Sequence, residues 1–396
     1  MTALTFYFQV HQPFRVRPYK FEDIGARHDY FDDWLNEDVV KRVTELCYHP
    51  MNKVLEDAIE RTDGEVKFAF SISGTALRQF ERWAPKALES FARLTAYPDN
   101  VEFMCETSRH SLSALADEEE FALQVAEQKA LLKKHFGVEP TTFRNTELIL
   151  SNEVARQVQG LGFELLVGEG ADGLLKRPHE PARHPGELFH AAEVPDLPLL
   201  LRDFPFSDDI AFRFSDRGWT EYPLFAPKFI QWLEELPEER RVVGCFMDYE
   251  TFGEHQPRST GIFDFMGEML ELVAGHERLE FACPRDVPGR FDRTTELTID
   301  RAYSWADAQR DLSAWLANPM QCGAHEAIYD LAARARSAGG ELLETWRDLT
   351  TSDHVYYMST SAASDGEVHE YFSPYPSPHD AYVTVMNVLE DLDRRL

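Results

Sequence analysis

Lysine is scarce in this sequence. Of its 40 basic residues 10 are Lys and 30 are Arg, and they face 69 Asp and Glu, which leaves a formal net charge of −29. Nucleic acids and anionic membranes bind positive surface, so neither is expected as a partner, and a neutral or cationic ligand is favoured. Cysteine is sparse too: Cys47, Cys105, Cys245, Cys283 and Cys322 are odd in number and widely scattered. None has zinc-site spacing, and free thiols in a reducing cytoplasm are the expectation. No apolar run approaches the roughly 18 residues needed to cross a bilayer. Met1–Phe6 lacks the basic n-region of a secretory signal, so a cytoplasmic location is expected. Phosphate-binding glycine loops are missing as well, since Gly168-Glu169-Gly170 alone is too short a pattern to cradle a nucleotide.

What is present is a large apolar inventory. With 396 residues, 43% hydrophobic and 12% aromatic, the chain can fill one large α/β domain and a smaller one. A strand, polar tip, helix rhythm recurs. Leu4–Val10 ends in His11-Gln12-Pro13, Val66–Ile72 in Ser73-Gly74, and Val101–Cys105 in Glu106, Thr107, Arg109 and His110. A strand from Thr141 carries Glu147 at its tip, and Phe163–Val167 is another. Helical spacing fills 36–62 (interrupted at Pro50), 75–94, 117–136, 152–160, 227–236 and 263–274. This is the pattern of parallel βα units. Prolines break it between 171 and 225, and 284–296 reads as a linker. Residues 1–290 are therefore expected to form an α/β domain of parallel strands, and 291–396 a mainly helical domain.

The most informative stretch is Arg240–His255. The β-prone run Val242–Met247 changes abruptly to Asp248-Tyr249-Glu250-Thr251-Phe252-Gly253-Glu254-His255. Residues just past the carboxyl ends of parallel strands are where catalytic groups gather. Asp248 stands at such a changeover between Met247 and Tyr249, whose bulk desolvates a carboxyl, raises its pKa and suits it to proton donation. A Glu and an Asp facing each other across one barrel mouth are what glycoside hydrolysis requires.

Five ordered segments resemble the signatures of glycoside hydrolase family 57, which includes α-amylases, glucanotransferases and branching enzymes. They are Phe8–Pro13, Val101–Leu112, Phe143–Leu148, Met247–His255 and Ser352–Tyr357. The resemblance implies an incomplete (β/α)7 barrel, TIM-like, followed by α-helices, and a retaining mechanism without cofactor or metal. Glu147 would be the nucleophile and Asp248 the acid/base. His11, Gln12, Glu102, Glu106 and His110 would line the sugar site, with Asp353 and Tyr357 reaching in from the helical domain. An α-glucan or maltooligosaccharide is the implied substrate; no oligomeric state is implied. Trp305 and Trp315 are candidate stacking platforms. Two positions depart from the family pattern: Gln9 stands where several members carry a second histidine, and Ser108-Arg109 stands where aromatics are expected, which would put a guanidinium at the sugar wall.

Two other readings remain open. One is a metal-dependent carbohydrate enzyme on a related barrel, of polysaccharide deacetylase or α-mannosidase type, using His11, His110, His255 and Asp248. The other is a carbohydrate-binding protein without catalysis, although a pure binder has no need of both Glu147 and Asp248. The acidic, Lys-poor composition also resembles that of proteins from salt-accumulating halophiles, where screening removes self-repulsion. On that reading the melting temperature climbs steeply between low and molar salt; a melting temperature flat over the range contradicts it.

Overall fold

The computed structural model describes residues 1–179, 181–292, 294–360 and 373–396. Its strands are β1 (Thr2–Val10), β2 (Phe68–Ile72), β3 (Val101–Met104), β4 (Thr142–Arg144), β5 (Leu165–Glu169), β6 (Leu188–Ala191), β7 (Val194–Arg202), β8 (Val242–Asp248), β9 (Leu279–Phe281) and β10 (Thr295–Leu297). One sheet runs β3-β2-β1-β8, all parallel. A second contains β4-β5-β7, also parallel. The two join where Cys105 bridges Phe143 in parallel fashion, the Cys105 N–H reaching Thr142 O at 3.0 Å. On the other side the Asp203 N–H reaches Gly244 O at 2.8 Å, just past β7. Among the described residues, seven parallel strands therefore close a ring in the order β1-β2-β3-β4-β5-β7-β8. This is an incomplete (β/α)7 barrel. Outside the ring, β6 pairs antiparallel with β7 and parallel with β10, so strand pairing continues past residue 290.

Successive strand residues point to opposite faces, and the two faces are packed differently. From β1, Leu4, Phe6, Phe8 and Val10 pack outward in a core shared with the surrounding helices. Ala3 and Tyr7 pack inward with Ala69, Met104, Leu165, Val167, Leu200, Val242 and Phe246. Both faces are covered, which is why the strands read as near-continuous apolar runs.

The expected helices form at Asp33–Val43 and His49–Arg61, joined by a π-turn at Thr44–Tyr48, and at Gly74–Trp83, Pro85–Arg93, Glu118–Phe136, Asn152–Gly160, Ala226–Glu234 and Ile262–Ala274. Pro85 sits in a first turn, where a missing N–H costs nothing, and Pro50 falls where the π-turn passes into the next helix. The region 284–296, expected as a linker, instead contains two single-turn helices and the start of β10. Helices Pro319–Asp330, Ala332–Ala338, Gly340–Leu349 and Pro378–Arg395 pack around Trp315 and Trp346 in a second core, which Val16, Tyr19, Tyr30, Leu112 and Ile149 join from the barrel. None of the described helices is long and apolar enough to cross a membrane.

The loop after β8 depends on one glycine. Gly253 has φ +112°, and a Cβ there would lie 2.0 Å from Leu46 O in the π-turn. That close approach seats the π-turn, and with it Tyr48, against the loop. Gly253→Ala is expected to cost about 3 kcal/mol of unfolding free energy by denaturant titration, from strain plus a backbone clash. Gly261, with φ +84° and open space around its Cβ position, isolates the conformational part, and Gly261→Ala should cost about 1 kcal/mol. Equal losses at the two sites would contradict a close-packing role for Gly253.

Candidate active site

At the carboxyl ends of the seven strands the inward positions turn polar together: Gln9, Ser71, Glu106, Arg144, Glu169, Arg202 and Asp248. Glu106 is wholly buried and accepts hydrogen bonds from Ser71 Oγ (2.5 Å), Gln9 Nε2 (3.0 Å) and His110 Nδ1 (2.8 Å). The Arg144 guanidinium lies 3.7 Å away. Burial alone would raise the Glu106 pKa, but the His110 and Arg144 charges and these donors bring it down to about 2. Arg202 pairs with Glu169 (3.3 Å) and Asp208 (2.6 Å), and its Nε donates to Phe246 O at 2.8 Å.

His110 translates this ring into the site. Its Nε2 lies 2.7 Å from Glu147 Oε1. Both ring nitrogens face carboxylates, so both carry protons. Burial opposes the charge, yet the bonds to Glu106 and Glu147 raise the imidazole pKa to about 9. The second Glu147 oxygen accepts from Trp305 Nε1 at 2.7 Å. Burial pushes the Glu147 carboxyl up, but His110, Arg144 and Trp305 together hold it below the ordinary value. The residue is left-handed, φ +55° and ψ 29°. Such a backbone costs on the order of 1–3 kcal/mol and persists where surroundings over-determine it. Here both carboxyl oxygens are tied, and Trp305 N donates to Glu147 O at 3.2 Å.

Asp248 behaves oppositely. Burial, then the Glu147 charge, lifts its pKa to about 7, and neither the Arg144, His110 nor Arg202 charge cancels the rise. Its side chain is open to the cleft by surface area, although protein walls surround it. The walls govern its pKa, since low-dielectric surroundings penalise the anion even where cleft water touches the oxygen; the opening governs access. Two carboxyls whose pKa values are pushed in opposite directions thus line the same cleft.

His11 stacks on His110, ring centroids 4.0 Å apart and 20° from parallel. Its Nε2 lies 2.9 Å from Asp353 Oδ2 and its Nδ1 2.8 Å from Ser73 Oγ. Burial and the neighbouring imidazolium lower the His11 pKa against the pull of Asp353, so a neutral ring donates to Asp353 and accepts from Ser73. Asp353 begins the short helix Asp353–Tyr356, tied to the barrel by Ser352 N donating to His110 O at 3.0 Å. Gln12 and Tyr357 line the same cleft.

Two expected site residues lie elsewhere. Glu106 stands behind His110 and positions it rather than lining the cleft. Glu102 faces the same interior, but four residues along a strand is about 13 Å, which places it toward the far end of the barrel. There its Oε2 accepts from Arg285 N at 2.8 Å. Nor is Arg109 at a sugar wall: its side chain is fully buried between Glu127 (2.7 Å), Glu344 (2.5 Å) and Asp348 (2.9 Å). Trp315 borders the cleft from within the helical core. Sequence reasoning missed Glu250, whose Oε1 accepts from the Tyr48 hydroxyl and whose pKa burial and Asp248 push up to about 8. It also missed Arg144 and Arg202, both lying over the Trp305 ring, at 5.2 and 5.6 Å. The inward parity of their strands was the available signal.

Among the described residues, no group of three or more His, Cys, Asp or Glu is placed to hold a metal ion.

The model of glycosyl hydrolase family 57 matches residues 5–300. The chain belongs to this family. A Methanocaldococcus jannaschii protein named "Putative alpha-amylase" is 36% identical over 403 residues, covering 98% of this chain and 84% of that protein. Among solved structures, the 4-alpha-glucanotransferase of Thermococcus litoralis aligns with a TM-score of 0.72 at 15% identity, over all of this chain. The chain spans 60% of that enzyme's length. The branching enzyme of Thermococcus kodakaraensis aligns at 0.68 and 14% identity, over 93% of this chain and 87% of its own. At these identities the structures bear on the fold alone.

Proposed function

We propose that this family 57 enzyme acts on α-1,4-linked glucans with retention of configuration, Glu147 serving as nucleophile and Asp248 as acid and then base. The observation that carries the roles is the opposite surroundings of two carboxyls lining one cleft, which separate their pKa values. His110 and Trp305 keep Glu147 ionised, while burial and the Glu147 charge keep the proton on Asp248. The α-glucan is favoured by the family and by the name of the Methanocaldococcus jannaschii relative.

In the first step a Glu147 oxygen bonds to the anomeric carbon as the glycosidic C–O bond breaks, and the Asp248 proton passes to the leaving oxygen. In the second, Asp248 takes a proton from water or from a sugar hydroxyl. That oxygen attacks the anomeric carbon and Glu147 leaves as a carboxylate. The stacked His11 and His110 rings and the Asp353 carboxylate line the sugar cleft on one side of the pair, and Phe212, Met247 and Trp305 form an apolar wall on the other. Water as acceptor gives α-amylase-like hydrolysis, and a sugar hydroxyl gives 4-α-glucanotransfer; the product profile on maltooligosaccharides distinguishes them.

Glu147→Gln should abolish turnover of natural and activated substrates alike. Asp248→Asn should still be glycosylated by a glucosyl fluoride, whose leaving group needs little acid help, and azide should restore its turnover because azide needs no base. The alkaline limb of wild-type activity should fall as pH rises through about 7, where Asp248 loses its proton. Azide rescue of the Glu147 variant instead, or a glycosyl adduct located on Asp248 by mass spectrometry, would reverse the roles.

A further inference from the structure

A second aromatic depression lies one helix away from the cleft. The helix Phe204–Ala211 follows β7. Ala211 and the adjoining Phe212 line the cleft beside Asp248. Phe206, Asp209 and Arg213, about a turn apart on the opposite face, line an open groove with Trp219, Glu221 and Trp232. The groove and the cleft are thus separated by roughly one helix diameter, about 10 Å. Phe212, 54% exposed, stands at the helix end between them.

The groove's chemistry is that of a neutral ligand with both apolar faces and hydroxyls. The Trp219 and Trp232 rings meet edge to face at 6.0 Å and are partly buried against the outer core, with Arg213 over the first ring at 5.8 Å and Lys228 over the second at 5.4 Å. The charged groups around them are paired. Arg213 Nε lies 2.6 Å from Asp209 Oδ1, and Lys228 Nζ 2.8 Å from Glu221 Oε2. On a surface of net charge −29, this is a locally balanced patch, so it offers neither a cation nor an anion an unpaired counter-charge. What it offers is the groove-lining parts of two indole rings, with the apolar stems of Arg213 and Lys228 beside them and carboxylates and a guanidinium within hydrogen-bonding reach, the set that packs on a pyranose ring and bonds its hydroxyls.

We propose that this groove is a second binding site for an α-glucan, holding a remote part of the same polymer whose scissile bond lies in the cleft. The inference rests on the α-glucan reading above. A chain running along the helix past Phe212 reaches both places; a short oligosaccharide fills the cleft alone. The groove therefore lowers KM for polymer without touching the reacting bond.

The test compares a soluble polymeric α-glucan with maltotriose. Trp219→Ala and Trp232→Ala should each raise KM for the polymer by about tenfold, the usual loss when one aromatic anchor is truncated. The kcat on polymer and both constants on maltotriose should stay unchanged. Trp219→Phe, which keeps a ring, should hold the polymer KM close to that of the unmodified protein. In the unmodified protein, the indole N–H signals of Trp219 and Trp232 should shift on titration with maltoheptaose, independently of the fold of any variant. Polymer KM unchanged in the variants together with indole signals that do not move overturns the second site while leaving the α-glucan reading intact. A wild-type protein that turns over neither polymer nor maltotriose removes the α-glucan reading, and the proposal with it.

Discussion

Seven parallel strands closed on themselves leave every second side chain facing one narrow interior. Below the mouth those positions are mostly apolar, and Tyr7, Val167, Leu200, Val242 and Phe246 fill the interior. At the mouth all seven become polar, and polar groups at that depth must satisfy one another. The rest of the site follows from that obligation. Glu106, with no access to water, draws the His110 proton and the Arg144 guanidinium. A charged His110 keeps Glu147 ionised. An ionised Glu147 beside Asp248 makes a second anion in the cleft unfavourable, and burial adds to the same effect. The difference between the two carboxyls thus starts from a glutamate that lines no part of the cleft.

The barrel does not complete the site alone. Trp305, which holds the second Glu147 oxygen, and Asp353, which orients His11, both lie beyond residue 300. The helical region must therefore be fixed relative to the mouth. Arg109 provides one tie, joining Glu127 of the barrel helix to Glu344 and Asp348 of the helical region. Asp348 is also paired with Arg78, and Arg347 with Glu120 at 2.8 Å. A guanidinium buried this deeply is tolerable only with its partners present. Removing Asp348 would leave two arginines short of a counter-charge at the seam that carries Asp353 inward.

Much of this was legible in the chain. The alternation of apolar strands with helical spacing marks the parallel βα units, the resemblance to family 57 implies the barrel, and Asp248, Glu147, His11 and His110 appear at strand ends as motif residues. Three features were obscured for physical reasons. Pro195 and Pro198 mask β7, although its ladder to β5 runs through Leu199–Arg202, beyond both prolines. Glu102 and Glu106 share parity and differ only in depth, which no periodicity encodes. Arg109 follows Ser108 in a polar run, but whether such a side chain meets sugar or a buried acid cluster depends on helices more than two hundred residues later. Gln9 reads differently in context: it accepts from the Tyr7 hydroxyl and donates to Glu106, so it belongs to the polar ring.

The central claim is that the two carboxyls hold different protonation states at the same pH. The most direct measurement is a carbon-13 NMR titration of the free protein with labelled Asp and Glu side-chain carboxyls, assigned through Glu147→Gln and Asp248→Asn. The account predicts that Glu147 is ionised already below the ordinary glutamate range and that Asp248 titrates near 7. A reversed order, or both groups ionising together near 4, would contradict it.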